Sequence, residues 1–232
     1  MDVNADFTQR ASVHAARLDW APSPIVGVER RMLDRIGAEL ARATSIVRYA
    51  PQSRFSPHTH DGGEEILVLE GVFQDEYGDF PAGTYIRNPP TSRHTPGSAP
   101  GCIIFVKLWQ FDGADRAHVR IDTNKTAFLA KSDRRGVAIM PLFFDGRENV
   151  RIERYAPGAD IDLRTEGGTE LLVMDGGFDD GTEKFEVQSW LRLPPGAVLT
   201  GKAGAQGAKL WVKSGHLARA QTAPQENGAT HG

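Results

Sequence analysis

Short apolar runs separated by turn-forming residues dominate the chain from residue 45 to residue 111. The runs are SIVRYAP, EEILVLEGVFQDE, GTYIRNPP and GCIIFVKLWQF, and the segments YGDFPAG and TPGSAPG between them carry glycine, proline and aspartate. Apolar runs of this length without a helical period are typical of β-strands, and those three residue types favour the turns that join strands. The pattern predicts an all-β sandwich or barrel.

The segment before these runs fits either a strand or a helix. VGVERRMLDR alternates between apolar and polar residues as a strand does, whereas the apolar residues of ERRMLDRIGAELARA are spaced partly as in a helix. Gly37 would interrupt that helix, and TSIVRY, which follows, is rich in β-branched and aromatic residues. We therefore predict strands here.

The second half of the chain repeats the first. RYAP at 48–51 recurs at 154–157, GGEEILVLEGVF at 62–73 as GGTELLVMDGGF at 167–178, YIRNPP at 85–90 as WLRLPP at 190–195, and FVK at 105–107 as WVK at 211–213. Four matches in one order, each displaced by about 105 residues, indicate a β-unit present in two copies. We expect a flexible arm over 1–19, a first domain over 20–125, a second over 126–216 and a disordered tail over 217–232.

Composition narrows the class of protein. The chain has 232 residues, 40% of them hydrophobic and 25% charged, with a formal net charge of −3, which argues against a nucleic-acid partner. No apolar run approaches the roughly 20 residues needed to cross a bilayer, and the N-terminus lacks the apolar region of a secretory signal. The single cysteine, Cys102, cannot form an intramolecular disulfide. We expect a cytoplasmic protein without a membrane partner.

Residue types that bind metals stand close together in HTHDGGEE, residues 58–65. His58 and His60 are two positions apart, so on an extended chain their side chains share one face. The two glycines that follow allow the backbone to turn, and Glu64 can then point at the same place. Glu65 is the alternative carboxylate, but it points to the opposite face of the strand that follows.

A fourth candidate ligand is His94, where a strand ends in the proline-rich turn NPPTSRH. Histidine nitrogens together with a carboxylate oxygen suit a divalent transition metal such as iron, zinc, manganese or nickel. The residues therefore predict one metal site in the first copy of the repeat.

The spacing of these residues resembles the cupin superfamily. The first cupin motif, G-x5-H-x-H-x3,4-E-x6-G, and the second, G-x5-P-x-G-x2-H-x3-N, are matched at His58, His60, Glu64, Gly71, Gly83, Pro89 and His94. Gln52 and Thr91 stand where glycine is usual, and Ser98 where asparagine is usual. Since these departures fall in turns, the resemblance implies that His58, His60, Glu64 and His94 are the metal ligands.

Residues 58–107 are similar to the ChrR-type branch of the cupins. That branch includes the cupin domain of the ChrR anti-sigma factor and proteins likened to acetylacetone and dihydroxyacetophenone dioxygenases. The resemblance implies two tandem cupin domains, each a double-stranded β-helix or jelly roll, with a small-molecule ligand in the N-terminal barrel. It also makes a homodimer an expectation. ChrR's separate anti-sigma domain needs clustered cysteines and histidines that this chain lacks, so that activity is not expected.

The second copy of the repeat has no comparable set of donors. Leu163 or Arg164 stands where His58 belongs, Thr169 replaces Glu64, and Leu199 or Thr200 replaces His94. We expect a degenerate cupin over 126–216 that supports the first without binding metal. Glu170 corresponds to Glu65 and is interpreted as structural.

Several other residues receive a structural interpretation. Cys102 begins an apolar strand and is expected to be a buried thiol, although a redox role is an alternative. Arg87, Lys107 and Trp109 could line a cavity, but we favour ordinary outward-facing strand positions. The acidic run DEYGD at 75–79 is expected to be a solvated turn. The remaining histidines are expected at the surface: His14, His118, His216 and His231.

Two functions fit these expectations. The first is a metal-dependent dioxygenase-like enzyme of the non-haem type that acts on a small dicarbonyl or hydroxy-ketone, with no residue identified as a general base. The second is a ChrR-like zinc-binding sensor or regulatory module without catalysis, whose signal would be metal loss or oxidation of Cys102. Cupins host many functions, so the fold does not decide between them.

Overall fold

In the computed structural model, which describes residues 1–38, 41–164 and 166–219, the chain consists of β-strands and two short 3₁₀ helices, Ala15–Arg17 and His216–Arg219. The strands are β1 (Ala11–His14), β2 (Ala21–Pro22), β3 (Val28–Gly37), β4 (Ala41–Tyr49), β5 (Ser53–Arg54), β6 (His58–His60), β7 (Glu64–Asp75), β8 (Gly78–Pro81), β9 (Thr84–Asn88), β10 (Ser92–His94), β11 (Gly97–Ser98), β12 (Cys102–Leu108), β13 (Val119–Asp122), β14 (Leu129–Ala130), β15 (Val137–Phe144), β16 (Asn149–Tyr155), β17 (Asp160–Arg164), β18 (Thr169–Asp179), β19 (Lys184–Glu186), β20 (Ser189–Leu193) and β21 (Val198–Ser214). The all-β prediction is confirmed.

The strands form two large sheets and one small one. The first large sheet has ten strands in the order β13-β9-β7-β12-β4-β3-β2, with β5, β8 and β11 attached at its side. The second has nine strands in the order β1-β20-β18-β21-β16-β15-β14, with β17 and β19 attached. Strands β6 and β10 pair with each other separately. The first sheet draws on residues 21–122 and the second on 129–214 together with 11–14, whereas the exact domain boundaries stay a prediction.

The ambiguous segment before residue 50 is extended. β3 and β4 pair antiparallel, with Val28 opposite Tyr49 and Gly37 opposite Ala41. Cross-strand packing of β-branched and aromatic residues on this pair outweighs the partly helical spacing, as predicted.

Three apolar clusters hold the fold together. One fills the interior of the first sheet and contains Ile66, Val68, Phe73, Phe80, Ile86, Cys102, Ile104 and Val106. A second fills the interior of the other sheet and is built largely from leucine, valine and phenylalanine. The third joins the outer faces of the two sheets, where Tyr85 and Phe105 of the first pack with Trp190 and Trp211 of the second. Because this third cluster is apolar and buried, each copy of the repeat stabilises the other.

Two buried ion pairs cross from one sheet to the other in a reciprocal arrangement. Lys213 of β21 donates to Glu65 of β7 at 2.7 Å, and Lys107 of β12 donates to Glu170 of β18. All four side chains are at most 2% exposed. Lys107 and Lys213, like Glu65 and Glu170, occupy equivalent positions of the repeat, so the interface has an internal two-fold character.

The expectation that Arg87 and Lys107 face outward is wrong. Arg87 is 1% exposed and binds Asp115 at 2.7 Å and Glu148 at 2.6 Å, and Lys107 is fully buried. Both charges lie between the two sheets. The alternation of polar and apolar residues along a strand does not show whether a charged side chain faces solvent or a buried partner of opposite charge.

The expected flexible arm over 1–19 is also wrong, because its middle forms part of the second sheet. β1 pairs antiparallel with β20, placing Ala11 opposite Arg192 and Val13 opposite Trp190, and Ala15 is fully buried. The partner strand is more than 170 residues away, so local pattern could not reveal the pairing.

At the other end of the chain, Leu217 is buried and its backbone N–H donates to the carbonyl of Gly167 at 3.0 Å. Leu217 is therefore ordered, contrary to the expected disordered tail over 217–232, and residues 220–232, with His231, lie outside the described part. Within the described residues, no helix has both the length and the apolar character that a membrane span requires.

Candidate metal centre

Strands β6 and β10 bring three histidines together. In this antiparallel pair His58 lies opposite His94, and Ser92 lies opposite His60. One ring nitrogen from each of His58, His60 and His94 lies within 4.8 Å of the other two, and Nε2 of His60 is 2.9 Å from Nε2 of His94. His94 is 2% exposed, whereas His58 faces solvent. The cluster therefore sits at an opening, with one side buried.

The turn between His60 and Glu64 depends on its two glycines. Gly63 has a φ of +75°, and its N–H donates to the carbonyl of His60 at 3.2 Å. A Cβ on Gly62 would lie 2.3 Å from the ring of Trp109, and one on Gly63 would lie 2.5 Å from that of Phe111. Only glycine fits under these rings without displacing them, so Trp109 and Phe111 set the path of the chain from the second histidine to the carboxylate.

Glu64 and Glu65 point to opposite faces of β7. Oε2 of Glu64 lies 3.3 Å from Nε2 of His60 and 3.5 Å from Nε2 of His94, and Glu64 is 6% exposed. Glu65 faces the other sheet, where Lys213 and Tyr85 donate to it. Burial would raise the pKa of Glu65, but the positive charges of Lys213 and Arg87, together with these bonds, lower it to about 2. Glu64 is thus the carboxylate that joins the histidines.

The outer ring nitrogens of two histidines are hydrogen-bonded. Nδ1 of His58 lies 3.0 Å from the carbonyl of Ser56, and Nδ1 of His94 lies 3.2 Å from Oδ2 of Asp75. Because a carbonyl and a carboxylate accept, we assign the proton to Nδ1 in both rings, which leaves each Nε2 with a free lone pair. Two such lone pairs beside a carboxylate oxygen favour a cation, so these residues fit a metal ion.

Asp75 was missed by the sequence analysis, which treated it as part of a solvated turn. Its side chain is fully buried, and its other oxygen accepts the N–H of Tyr77 at 2.8 Å. β7 continues to Asp75, eleven positions beyond Glu64, and the two carboxylates reach His94 from different directions. The long apolar run before DEYGD was the signal that the strand extends this far.

The pKa values of His60 and His94 are shifted in opposite directions. Burial lowers the pKa of His60, against an opposing effect of Glu64, so this ring is neutral near pH 7. Burial also acts on His94, but Asp75 and Glu64 outweigh it and raise the pKa. The carboxylates at this end of the barrel thus favour positive charge on or beside His94.

Comparison with known proteins identifies this part of the chain. Residues 8–112 match the family model of the ChrR Cupin-like domain. This segment belongs to that family. The resemblance drawn from the two motifs is confirmed, and the rest of the chain shares the cupin fold by comparison of structures.

Three solved structures illustrate that likeness. A proposed dioxygenase from Nostoc punctiforme is 15% identical, covers 94% of this chain and 88% of its own, and has a TM-score of 0.75. A bacterial pirin from Escherichia coli, in complex with nickel(II), is 12% identical over 94% of this chain and 100% of its own, with a TM-score of 0.62. A cupin 2 conserved barrel protein from Leptotrichia buccalis is 11% identical over 88% and 95%, with a TM-score of 0.59. At these identities the likeness shows the fold alone. Among curated proteins, none matches the chain.

The two turn positions where the cupin motifs usually have glycine keep glycine-like backbones here. Gln52 has a φ of +62° and Thr91 a φ of +72°. Their equivalents in the second copy are Gly158 at +68° and Gly196 at +82°. The departures from the motifs therefore change the side chain and leave the turn itself unchanged.

The second copy of the repeat has leucines where the first has two of its clustered histidines. Leu163 lies opposite Leu199 between β17 and β21, as His58 lies opposite His94. Both leucines are at most 5% exposed and belong to the interior cluster of this sheet. This register resolves the alternatives left by the sequence: Leu163 corresponds to His58 and Leu199 to His94. The fold is therefore preserved where the donors are absent.

Two of the histidines expected at the surface are not there. The side chain of His216 is 4% exposed, and its Nε2 lies 3.0 Å from Glu170; burial lowers its pKa to about 4. His14 is 20% exposed and contacts Glu183 at 2.8 Å. Both pair with carboxylates of the second copy of the repeat.

A cavity of about 520 Å³ lies between the two sheets. Arg42, Arg87, Trp109, Glu148 and His216 are among the residues that line it. The residues that line it include charged residues of the buried ion pairs and none of the three clustered histidines. Of the two interpretations of Trp109, the one that places it at a cavity is confirmed. This cavity lies between the sheets and not inside the first barrel.

Proposed function

We propose that the chain binds one divalent transition metal through His58, His60, Glu64 and His94. We further propose that it acts as a dioxygenase-like enzyme of the non-haem type on a small dicarbonyl or hydroxy-ketone. The observation that carries the proposal is the convergence of three imidazoles with Glu64, whose Oε2 lies within 3.5 Å of two ring nitrogens. When bound, the ion would act as a Lewis acid and as the site of dioxygen chemistry.

The surrounding residues suit catalysis at an opening. Four protein donors leave part of an octahedral coordination sphere free for substrate. The exposed His58 marks the open side, and the interior of the barrel is walled by Ile66, Phe73, Phe80 and Ile104. Apolar walls exclude water and hold the carbon skeleton of a small molecule. The chain would thus orient the substrate and exclude water from it.

The known structures support this choice of class. The Nostoc punctiforme protein is itself a proposed dioxygenase, and the pirin was solved with nickel(II). Iron is the metal that the proposed chemistry requires, and nickel, manganese and zinc are the alternatives at the same donors.

A zinc-binding sensor is the second candidate, favoured by the match to the ChrR Cupin-like domain. One observation weighs against a sensor that responds through oxidation of Cys102. Cys102 is buried, and burial raises the pKa of its thiol to about 11, against a small opposing effect of Ser98. The reactive thiolate is therefore rare near pH 7.

Metal analysis of anaerobically purified protein, followed by oxygen uptake with β-diketones and hydroxy-ketones, tests the proposal. We expect about one metal per chain and oxygen consumption by the iron-loaded protein with at least one compound. Zinc as the sole metal retained, together with no oxygen uptake from iron-loaded protein, would favour the sensor.

A further inference from the structure

Arg120 lies on the interior face of the first barrel. In the pairing of β13 with β9 it stands opposite Ile86, and Ile86 belongs to the apolar interior cluster. Directly opposed residues of an antiparallel pair point to the same face. The guanidinium carbon also lies 5.6 Å from the centroid of the Phe80 ring, a member of the same cluster. A positive charge is therefore placed inside an apolar barrel.

This guanidinium is connected to the metal centre through one side chain. Nη2 of Arg120 donates to Oδ1 of Asn88 at 2.7 Å, and Nδ2 of Asn88 donates to Oε2 of Glu64 at 3.1 Å. Glu64 is opposite Asn88 in the pairing of β7 with β9. Arg120 thus stands one asparagine away from the carboxylate that joins the histidines.

Part of the donor capacity of Arg120 is unused. Nη1 donates to the carbonyls of Arg87 at 3.0 Å and Val119 at 2.9 Å. These two bonds and the one to Asn88 account for three of the five N–H groups of a guanidinium. Within the described part of the chain, the Nε–H and the second Nη2–H have no acceptor. Nε and Nη2 together form the edge of the guanidinium that binds a carboxylate through two parallel hydrogen bonds, and each has an N–H group available there or beside it.

The charges around Arg120 also leave room for one more anion. Burial lowers the pKa of Arg120, and the carboxylates of Asp75 and Glu64 oppose that effect. Neither carboxylate is hydrogen-bonded to it. With neutral rings, a divalent ion, two carboxylates and one guanidinium would sum to one positive charge, which a monoanionic ligand neutralises.

We infer that Arg120 binds the carboxylate of the substrate, so that the dicarbonyl or hydroxy-ketone is a carboxylic acid whose oxygen-bearing end faces the histidines. This inference rests on the proposed function and adds the charge of the substrate to it. Arg120 lies beyond residues 8–112, so the match to the ChrR Cupin-like domain does not include it.

The experiment compares a carboxylate with its neutral amide. Cobalt(II)-loaded protein is titrated with pyruvate and with pyruvamide, and binding is followed by the visible cobalt bands and by calorimetry. Arg120→Gln is compared with Arg120→Lys and with Arg135→Gln, a matched loss of charge at an exposed position in the turn between β14 and β15. Metal content and oxygen uptake of the iron-loaded proteins are measured separately.

We expect Arg120→Gln to weaken pyruvate binding about 10- to 100-fold, the range for loss of a charge-assisted pair of hydrogen bonds. Pyruvamide binding should be unchanged, Arg120→Lys intermediate, and Arg135→Gln like the unmodified protein. Unaltered pyruvate affinity in a metal-replete Arg120→Gln protein would overturn the inference alone. If pyruvate binding depends on Arg120 but no compound causes oxygen uptake, the inference stands and the proposed dioxygenase activity is overturned. If the unmodified protein does not bind cobalt, both the inference and the proposed function are overturned.

Discussion

Asp75 orients the most buried of the three histidines. Its Oδ2 lies 3.2 Å from Nδ1 of His94, and its side chain is fully buried, so it fixes the ring and directs Nε2 towards Glu64. A carboxylate behind a ligating histidine also makes that ligand more basic. A change at Asp75 should therefore act on the metal through His94.

We expect Asp75→Asn to weaken metal affinity by about 10- to 100-fold, because the amide is a poorer and uncharged acceptor. Competition with a chelator of known affinity measures this change. Asp79→Asn, on an exposed position of the same hairpin, serves as the control and should bind metal normally. Equal affinities of the two variants would show that Asp75 has no role in the centre.

Thr91 carries a conformational cost that glycine would remove. Its φ of +72° is unusual for a β-branched residue, its side chain is exposed, and its equivalent in the second copy is Gly196. We expect Thr91→Gly to raise the free energy of unfolding by about 1 kcal/mol.

Urea denaturation of metal-free protein gives this value. Thr200→Gly is the comparison, since Thr200 is an exposed strand residue with ordinary φ, and there glycine should cost about 0.5–1 kcal/mol. Destabilisation of both variants by the same amount would contradict the explanation.

At the scale of elements, β7 organises the site because its two faces have different tasks. Glu64 faces the histidines, and Glu65, next to it, is held by Lys213 from the other sheet. The position of Glu64 beside the histidines therefore depends on a lysine 148 positions beyond Glu65 along the chain. The reciprocal pair of Lys107 with Glu170 fixes β18 in the same way.

Removal of one partner from such a pair should be costly. Lys107→Met leaves the Glu170 carboxylate buried without its lysine, while His216 and Trp190 remain as donors to it, so we expect a loss of about 3–5 kcal/mol in the free energy of unfolding. The double variant Lys107→Met with Glu170→Gln should recover part of this loss, because no uncompensated charge then remains.

The exposed pair of Lys202 with Asp160 provides a control. These side chains are 71% and 81% exposed, and Lys202→Met should change the free energy of unfolding by less than about 1 kcal/mol. Similar losses for Lys107→Met and Lys202→Met would show that the buried pair does not stabilise the interface.

At the scale of the whole molecule, stability should fall in mild acid. The pKa of His216 is lowered from 6.5 to about 4 by burial, and the nearby Lys107 and Lys213 act in the same direction. Between these values the unfolded chain binds a proton that the folded protein does not, so stability decreases as the pH falls from about 6.5 to 4.

We expect His216 to contribute a loss of about 2 kcal/mol between pH 7 and pH 5. Urea denaturation at several pH values measures it. His216→Gln should flatten the pH dependence in that window, whereas the exposed His118→Gln should leave it unchanged. An unaltered slope in His216→Gln would contradict the assignment of a neutral, buried ring.

Local pattern was sufficient for the strands and the repeat, because alternation and turn residues act over a few positions. It also placed His58 and His60 on one face, since they are two positions apart on an extended chain, and the two glycines after them brought Glu64 to the same place. It could not find the burial of Arg87 and Lys107, because partners such as Glu148 and Glu170 lie about 60 positions away. The pairing of the arm with β20 was missed for the same reason.

The metal content of single variants tests the central claim most directly. Anaerobically purified protein should contain about one divalent metal per chain, and His60→Ala, His94→Ala and Glu64→Gln should each lose most of it. Glu70→Gln, an exposed carboxylate on the same strand, should retain it. Full metal content in His60→Ala and His94→Ala would contradict the metal centre, and full content in Glu64→Gln would remove Glu64 from the ligand set.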